Sequence, residues 1–118
     1  MYKVNIEYAR SEQNHDVSFF QYDHDTRQYI TEKYRNTKKF LQNGIAEHKD
    51  HMYITMKWRS REDYLEYKND PNLAEANKRR DEYNTLHGIE RVYTKSMKNG
   101  KNKGTELEGF QIPDTETP

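Results

Sequence analysis

The sequence predicts an α+β domain in which one antiparallel sheet carries helices on a single face. Two segments, 2–9 and 52–58, alternate between apolar and polar residues, as strands with one buried face do. Two other segments repeat apolar residues at helical spacing and begin with capping residues. Shorter strands are expected at 45–48 and 89–97. The predicted order is therefore β-α-β-β-α-β.

The first strand has two sides of different polarity. One side carries Tyr2, Val4, Ile6 and Tyr8, and the other carries Lys3, Asn5 and Glu7. Residues 10–24 follow without a steady period, which predicts a long loop insertion. We expect Phe19, Phe20 and Tyr22 to attach this loop to the body of the domain.

A helix is expected to begin at Asp25, because Gln28 stands at the capping-box position. Apolar spacing extends it to Leu41, and Asn43-Gly44 is expected to end it, since glycine accepts a left-handed conformation. A short strand at 45–48, a turn at 49–51 and the alternating strand 52–58 follow.

The second helical region contains two helices. Ser60 is the expected cap of the first, with Asp63 three positions on. Asp70-Pro71 ends that helix and starts another, because aspartate suits a cap and proline suits the first turn. The pair His87-Gly88 closes it, and the last strand follows at 89–97.

Residues 98–118 differ in composition from the rest, with three of the five glycines and two of the three prolines. We expect a C-terminal tail after a domain of residues 1–97. Leu107, Phe110 and Ile112 offer one way to dock it as an edge strand, and a flexible tail is the alternative.

The element order is that of a ferredoxin-like sheet, which leaves the face opposite the helices bare. Hydrophobic residues make up only 31% of the 118 residues, so the core is thin. A second copy of the chain that covers the bare face would add buried surface. We therefore expect a homodimer.

Composition excludes several classes of function. The chain has no cysteine, which removes disulfides, thiolate metal sites and thiol nucleophiles and suits the cytoplasm. No apolar run is long enough to span a membrane. The 20 Lys and Arg balance the 20 Asp and Glu, so a nucleic-acid partner is not expected. Strand 52–58 also lacks the aromatic pattern of RNA-binding sheets.

The segment from Met56 to Tyr67 carries a motif in which a strand ends in Trp58, Ser60 caps a helix and an acidic pair precedes aromatic residues. This motif, with the Asp70-Pro71 break, resembles the dimeric α+β barrel superfamily, in particular its antibiotic-biosynthesis-monooxygenase-like members. It also resembles uncharacterised dimeric ferredoxin-like proteins known from environmental sequences. The resemblance implies a homodimeric barrel with a pocket between helices and sheet in each protomer.

The resemblance also implies a test for haem degradation. In that branch a second tryptophan and an axial histidine follow the motif tryptophan by nine and nineteen residues, and here these positions hold Tyr67 and Asn77. Asparagine is a poor iron ligand, so haem degradation is not expected. An asparagine of the first strand also serves that branch, and Asn5 or Glu7 is the candidate here.

Cofactor-free oxygenation needs a pocket that holds the anion of an acidic phenol away from water. The pocket-lining candidates are Trp58, Tyr67, Asn77, Arg80 and Tyr83, together with Asn5 and Glu7. Arg80 interrupts an apolar helix stripe, which fits a ligand contact, and its alternative role is a surface residue paired with a carboxylate.

His15, His24, His48 and His51 have carboxylates nearby but lie in predicted loops, so no metal site is expected. The predicted function is a small-molecule pocket protein without a cofactor, with a monooxygenase-like activity as its enzymatic form. A small aromatic or acidic molecule is the expected ligand. The alternative is a homodimeric binding or scaffold protein that performs no catalysis, and no catalytic residue is assigned.

Overall fold

The computed structural model describes residues 1–11, 13, 16–92 and 110–111. Four strands form an antiparallel sheet in the order β2-β3-β1-β4. They are β1 (Tyr2–Arg10), β2 (Phe40–Glu47), β3 (His51–Trp58) and β4 (Ile89–Val92). This α+β arrangement, with three helices, is compatible with the predicted ferredoxin-like fold.

The helices begin at residues whose side chains accept backbone N–H groups. Helix α1 (His24–Ile30) is capped by Asp23 and continues as a π-helical turn, Thr31–Arg35. Helix α2 (Arg61–Lys68) is capped by Ser60, as expected. A 3-10 turn, Pro71–Leu73, begins at Asp70 and leads into α3 (Ala74–Leu86). Gly88, at φ 66°, ends this region as expected.

The prediction for the first helix was wrong at both ends. It begins at His24, and the Gln28 side chain bonds Glu32. Together with its π-helical turn, the helical segment ends at Arg35. The chain leaves the helix there because Lys38 adopts the left-handed conformation (φ 65°) and the Lys39 N–H bonds the Tyr34 carbonyl.

Strand β2 consequently begins five residues earlier than the predicted strand 45–48, and Asn43 and Gly44 belong to it. A bulge at Leu41 precedes them. Gly44 ends no helix, because Phe40 has already returned the chain to the sheet beside Trp58.

Two predicted elements extend beyond the described residues. The last strand was expected over 89–97, and only its part up to Val92 is described. In the C-terminal region, Phe110–Gln111 form a two-residue strand, β5, that pairs with Tyr2 and Lys3 of β1. Leu107 and Ile112 lie outside the described residues.

The buried face of the sheet carries a core that is divided into two clusters. The larger cluster surrounds Val4 and Trp58, and the smaller one contains Tyr8, Phe19, Met52 and Ile89. Ile6 and Ile54 contact both clusters but are only partly buried. The middle of the sheet is therefore not covered by the helices.

Trp58 is the centre of the larger cluster and is fully buried. Its ring stacks on Phe40 with a centroid separation of 4.5 Å and lies within 6 Å of three tyrosine rings, Tyr34, Tyr64 and Tyr67. Aromatic packing of this kind replaces the aliphatic residues that the chain lacks. Among the described side chains, the Trp58 Nε1 is the one buried polar atom without a hydrogen-bond partner.

Asp70 joins α1 and its π-helical turn to the junction between α2 and α3. Its buried carboxylate accepts hydrogen bonds from Tyr34 (2.6 Å), Tyr29 (2.7 Å) and Lys33 (3.0 Å). It also accepts the Asn72 N–H (2.9 Å). Burial disfavours the carboxylate, but these donors outweigh it and hold the pKa of Asp70 well below its usual range.

Within the described ranges, no helix combines the length and apolar character that a membrane span requires.

Replacing Trp58 with alanine is expected to lower the free energy of unfolding by about 3–5 kcal/mol, because it empties the centre of the larger cluster. Trp58→Phe keeps the stacking and removes the unpaired Nε1–H, so its loss should be much smaller. Urea denaturation of both variants measures the difference. Equal losses would contradict a core position for the indole.

Replacing Asp70 with asparagine is expected to cost about 1–3 kcal/mol at pH 7, because the charged acceptor is lost. A depressed pKa contributes its full stabilisation above the unfolded-state value of about 3.9, and this contribution is lost progressively as the pH falls from there towards the lower folded-state pKa. The difference between wild type and variant should therefore shrink below about pH 4. Glu75→Gln, at an exposed position of α3, is the control for denaturation at each pH.

Candidate functional site

A cavity of about 650 Å³ lies between the helices and the sheet, where the two core clusters separate. Its floor is a row of three isoleucines on neighbouring strands. Ile6 pairs with Ile54, and Ile54 pairs with Ile45, so the row crosses β1, β3 and β2. Ile45 is 61% exposed and marks the end of the row at the edge strand.

The walls come from four segments of the chain. Loop residues 19–22 form one wall and α1 forms another. Helix α2 and helix α3 complete the enclosure, and their lining residues are Tyr64, Tyr67, Lys68, Asn77, Arg80 and Asn84.

Arg80 is the centre of a hydrogen-bond network in this cavity. Its Nη1 donates to the Tyr22 hydroxyl (3.1 Å) and to Oδ1 of Asn77 (3.3 Å). Tyr22 donates to the same Asn77 oxygen at 2.7 Å. The Arg80 Nε donates to Asp81 at 3.0 Å. The loop is thus fastened to α3 at the position where Arg80 enters the cavity.

Three titratable groups that line the cavity, Tyr8, Tyr67 and Arg80, keep their ordinary neutral-pH states. Burial and the neighbouring Tyr22 hydroxyl raise the pKa of Tyr67, and burial also raises the pKa of Tyr8. Burial works against the charge of Arg80, but Tyr8, Tyr22 and Asp81 raise its pKa above the usual value. The cavity therefore presents a cation among protonated phenols.

The charge of the lining is strongly one-sided. Among the residues that the structure describes, five basic side chains line the cavity, namely Arg27, Arg35, Lys68, Arg80 and Arg91, against the single carboxylate of Glu47. The whole chain has a net charge of zero, so this excess is local. A positive lining in a low-dielectric space attracts anions.

Asn84 also lines the cavity and was not among the predicted residues. It lies four positions after Arg80 and seven after Asn77, so the three polar side chains share one stripe of α3. That spacing was the feature of the sequence from which Asn84 could have been predicted as a lining residue. It was missed because Leu73, Ala76 and Tyr83 suggested an apolar stripe along the same helix.

Three predicted pocket residues, Tyr67, Asn77 and Arg80, lie together in the cavity. Trp58 lies below it in the core and does not line it. Tyr83 faces the loop, because its hydroxyl donates to the Ser18 carbonyl at 2.6 Å.

Asn5 and Glu7 do not line this cavity. They alternate with Val4 and Ile6 along β1, so their side chains point to the opposite face of the sheet. On that face Glu7 lies 3.4 Å from His51, measured between Oε2 and Nε2. The two-residue period of the strand therefore turns both side chains, which were predicted to line the pocket, away from the cavity.

The loop that precedes α1 is docked along residues 16–22. The Arg10 side chain lies 4.3 Å over the Phe19 ring and donates to the Val17 carbonyl. Phe20 contacts the rings of Tyr22 and Tyr83. These contacts agree with the expected attachment through Phe19, Phe20 and Tyr22.

In the part of the chain that the structure describes, no three histidine, aspartate or glutamate residues gather as metal ligands. His48 and His51 flank the β2–β3 turn, where both rings pack against Tyr53.

The chain matches no protein-family model, no curated protein and no solved structure.

Proposed function

We propose that this protein binds a small aromatic or acidic organic molecule in the cavity above the isoleucine row. The observation that supports the proposal is the position of the cavity. It lies between the two core clusters, where the side chains of a hydrophobic core would otherwise pack. Ile6 and Ile54 stand at the centre of the sheet and remain partly uncovered. A volume of about 650 Å³ is within the range of ligand sites.

An apolar molecule in this space would stabilise the fold. Side chains that face a void lose dispersion contacts, and an apolar ligand restores them. The floor offers aliphatic groups and the walls offer aromatic rings such as Phe20 and Tyr67. The basic lining favours a ligand that also carries negative charge.

Binding without turnover fits the chemistry better than oxygenation. Cofactor-free oxygenation of a phenol needs its anion, and Tyr67 and Tyr8 cannot accept its proton, because their raised pKa values keep them protonated at neutral pH. An oxygenase of this type remains the second candidate for a substrate that is already ionised, because Arg80 and Asn77 would stabilise its charge. Oxygen uptake with acidic phenols tests it.

Haem degradation and RNA binding are not part of the proposal. Asn77 stands where the haem-degrading branch has its axial histidine, and its Oδ1 is already bonded to Tyr22 and Arg80. RNA binding would use aromatic rings on the open face of the sheet, and on β3 the side chains of that face include one tyrosine, Tyr53, with Thr55 and Lys57 beyond it.

We also propose that two copies of the chain pair through the open sheet face, in the cytoplasm that the lack of cysteine favours. Lys3 and Lys57 form a neighbouring pair at one end of this face, and the exposed Glu90 lies towards the other. A two-fold axis that lies in the plane of the interface and runs perpendicular to the strands brings opposite charges together. Tyr53, 42% exposed, adds apolar surface to this interface.

Filling the cavity is expected to abolish ligand binding. In Ile54→Phe, the larger ring occupies the floor, so the neutral dye N-phenyl-1-naphthylamine should bind at least about tenfold more weakly than to wild type. Thr55→Val changes the next residue, on the open face, and is the control. Fluorescence titration measures both. Unchanged dye affinity in Ile54→Phe, with an unchanged melting temperature, would contradict the cavity as the binding site.

Charge reversal is expected to weaken the dimer and double reversal to restore it. Lys57→Glu and Glu90→Lys should each raise the dimer dissociation constant about fivefold, since each replaces an attraction with a repulsion. The double variant should return close to wild type. Sedimentation equilibrium gives the constants. A wild-type monomer at all concentrations would rule out the pairing.

A further inference from the structure

Helix α3 presents a stripe of hydrogen-bond donors to the cavity. Asn77, Arg80 and Asn84 follow one another at spacings of three and four residues, so their side chains lie on one side of the helix. Asn77 uses Oδ1 to accept two bonds, which leaves its Nδ2 as a donor. Arg80 uses Nε and Nη1, and its Nη2 makes no hydrogen bond to a described residue.

Asn84 gives independent support for a ligand beside this stripe. Its side chain is a cavity wall, only 9% of the residue is exposed, and its amide has no hydrogen-bond partner among the described residues. Since, among the described side chains, the Trp58 Nε1 is the one enclosed polar atom without a partner, the Asn84 amide atoms are still accessible, and the cavity is the space they line. Amides in such a position are completed by a ligand or by ordered water.

The floor of the cavity gives the shape of the occupant. The row Ile6–Ile54–Ile45 crosses two strand spacings, a distance on the order of 10 Å. Arg80 lies near the β1 end of this row, because α3 packs on β4, the strand next to β1. The row leads from there to the exposed Ile45 at the edge of the sheet. The floor is therefore aliphatic along its length, with the polar stripe of α3 at its β1 end.

We infer that the ligand is an unbranched apolar monocarboxylate, with its carboxylate on Asn77, Arg80 and Asn84 and its chain along the isoleucine row. A carboxylate has two coplanar oxygens and accepts from a guanidinium and amides side by side. A single carboxylate matches the donors of α3, and the isoleucine row offers aliphatic contacts to the chain that follows it. This inference rests on the proposed function, because it names the ligand class of the same cavity.

Tyr22 is a positioning residue for this site. Its hydroxyl accepts from Nη1 of Arg80 and donates to Asn77, which leaves both side chains with their other donors turned to the cavity. The carboxylate adds to this network and does not replace it.

The experiment is displacement of N-phenyl-1-naphthylamine from the full chain by decanoate and by 1-decanol, which share the alkyl chain and differ in charge. Decanoate should compete at a concentration at least about tenfold lower than 1-decanol, the ratio expected for a charge-assisted contact. In a series from hexanoate to decanoate, each added methylene should improve binding about fourfold.

Two variants and a matched control locate the carboxylate. Relative to its effect on the dye, Arg80→Gln should weaken decanoate at least about tenfold more, and Asn84→Ala about three- to tenfold more. Arg79→Gln removes the adjacent arginine, which pairs with Glu75 outside the cavity, and should change nothing. If Arg80→Gln does not fold, Asn84→Ala carries the test.

The outcomes separate the two proposals. Dye binding with equal displacement by decanoate and 1-decanol would overturn the carboxylate and leave the binding cavity in place. Decanoate binding that Arg80→Gln and Asn84→Ala leave unchanged would overturn the proposed contacts. A chain that binds neither the dye nor decanoate would overturn the proposed function itself.

Discussion

The buried carboxylate of Asp70 is the interaction on which the helical layer depends. It accepts from Tyr29, Lys33 and Tyr34 on one side and caps the turn that starts α3 on the other. In a chain with only 31% hydrophobic residues, a charged acceptor with several donors does work that aliphatic packing does in other domains. It anchors α1 at one end of the sheet, beside the larger core cluster. The middle of the sheet is left open, and that opening is the cavity.

The strands were predictable because their side chains alternate. The period of two in 2–9 and 52–58 places Ile6 and Ile54 on one face and Asn5 and Thr55 on the other. The end of α1 was not predictable by the same reasoning, because the chain turns at Lys38, which has a positive φ without being glycine. Asn43-Gly44 looked like a helix stop, but a local signal cannot compete with Phe40 packing on Trp58.

The candidate site was predictable to the extent that it lies on helices with a regular spacing. Tyr67, Asn77 and Arg80 were found through the motif and the helix stripe, and they share the cavity. Tyr22 was expected to attach the loop to the domain, but its contacts with Asn77 and Arg80 could not be predicted, since a loop without periodicity gives no information on where it docks. Asn5 and Glu7 were predicted to line the pocket because of the family resemblance. The alternation along β1 already places them on the face opposite Ile6.

The π-helical turn from Thr31 to Arg35 bears on the order in which the chain acquires its structure. A π turn is rarely favoured by its own hydrogen bonds, so it needs support from elsewhere. Here the support is the bond from Tyr34 to Asp70, 36 residues further along the chain. On a ribosome, which releases the N-terminus first, the last turn of α1 has to wait for its partner to be synthesised. The first helix of the sequence is in this sense completed by the second half of the protein.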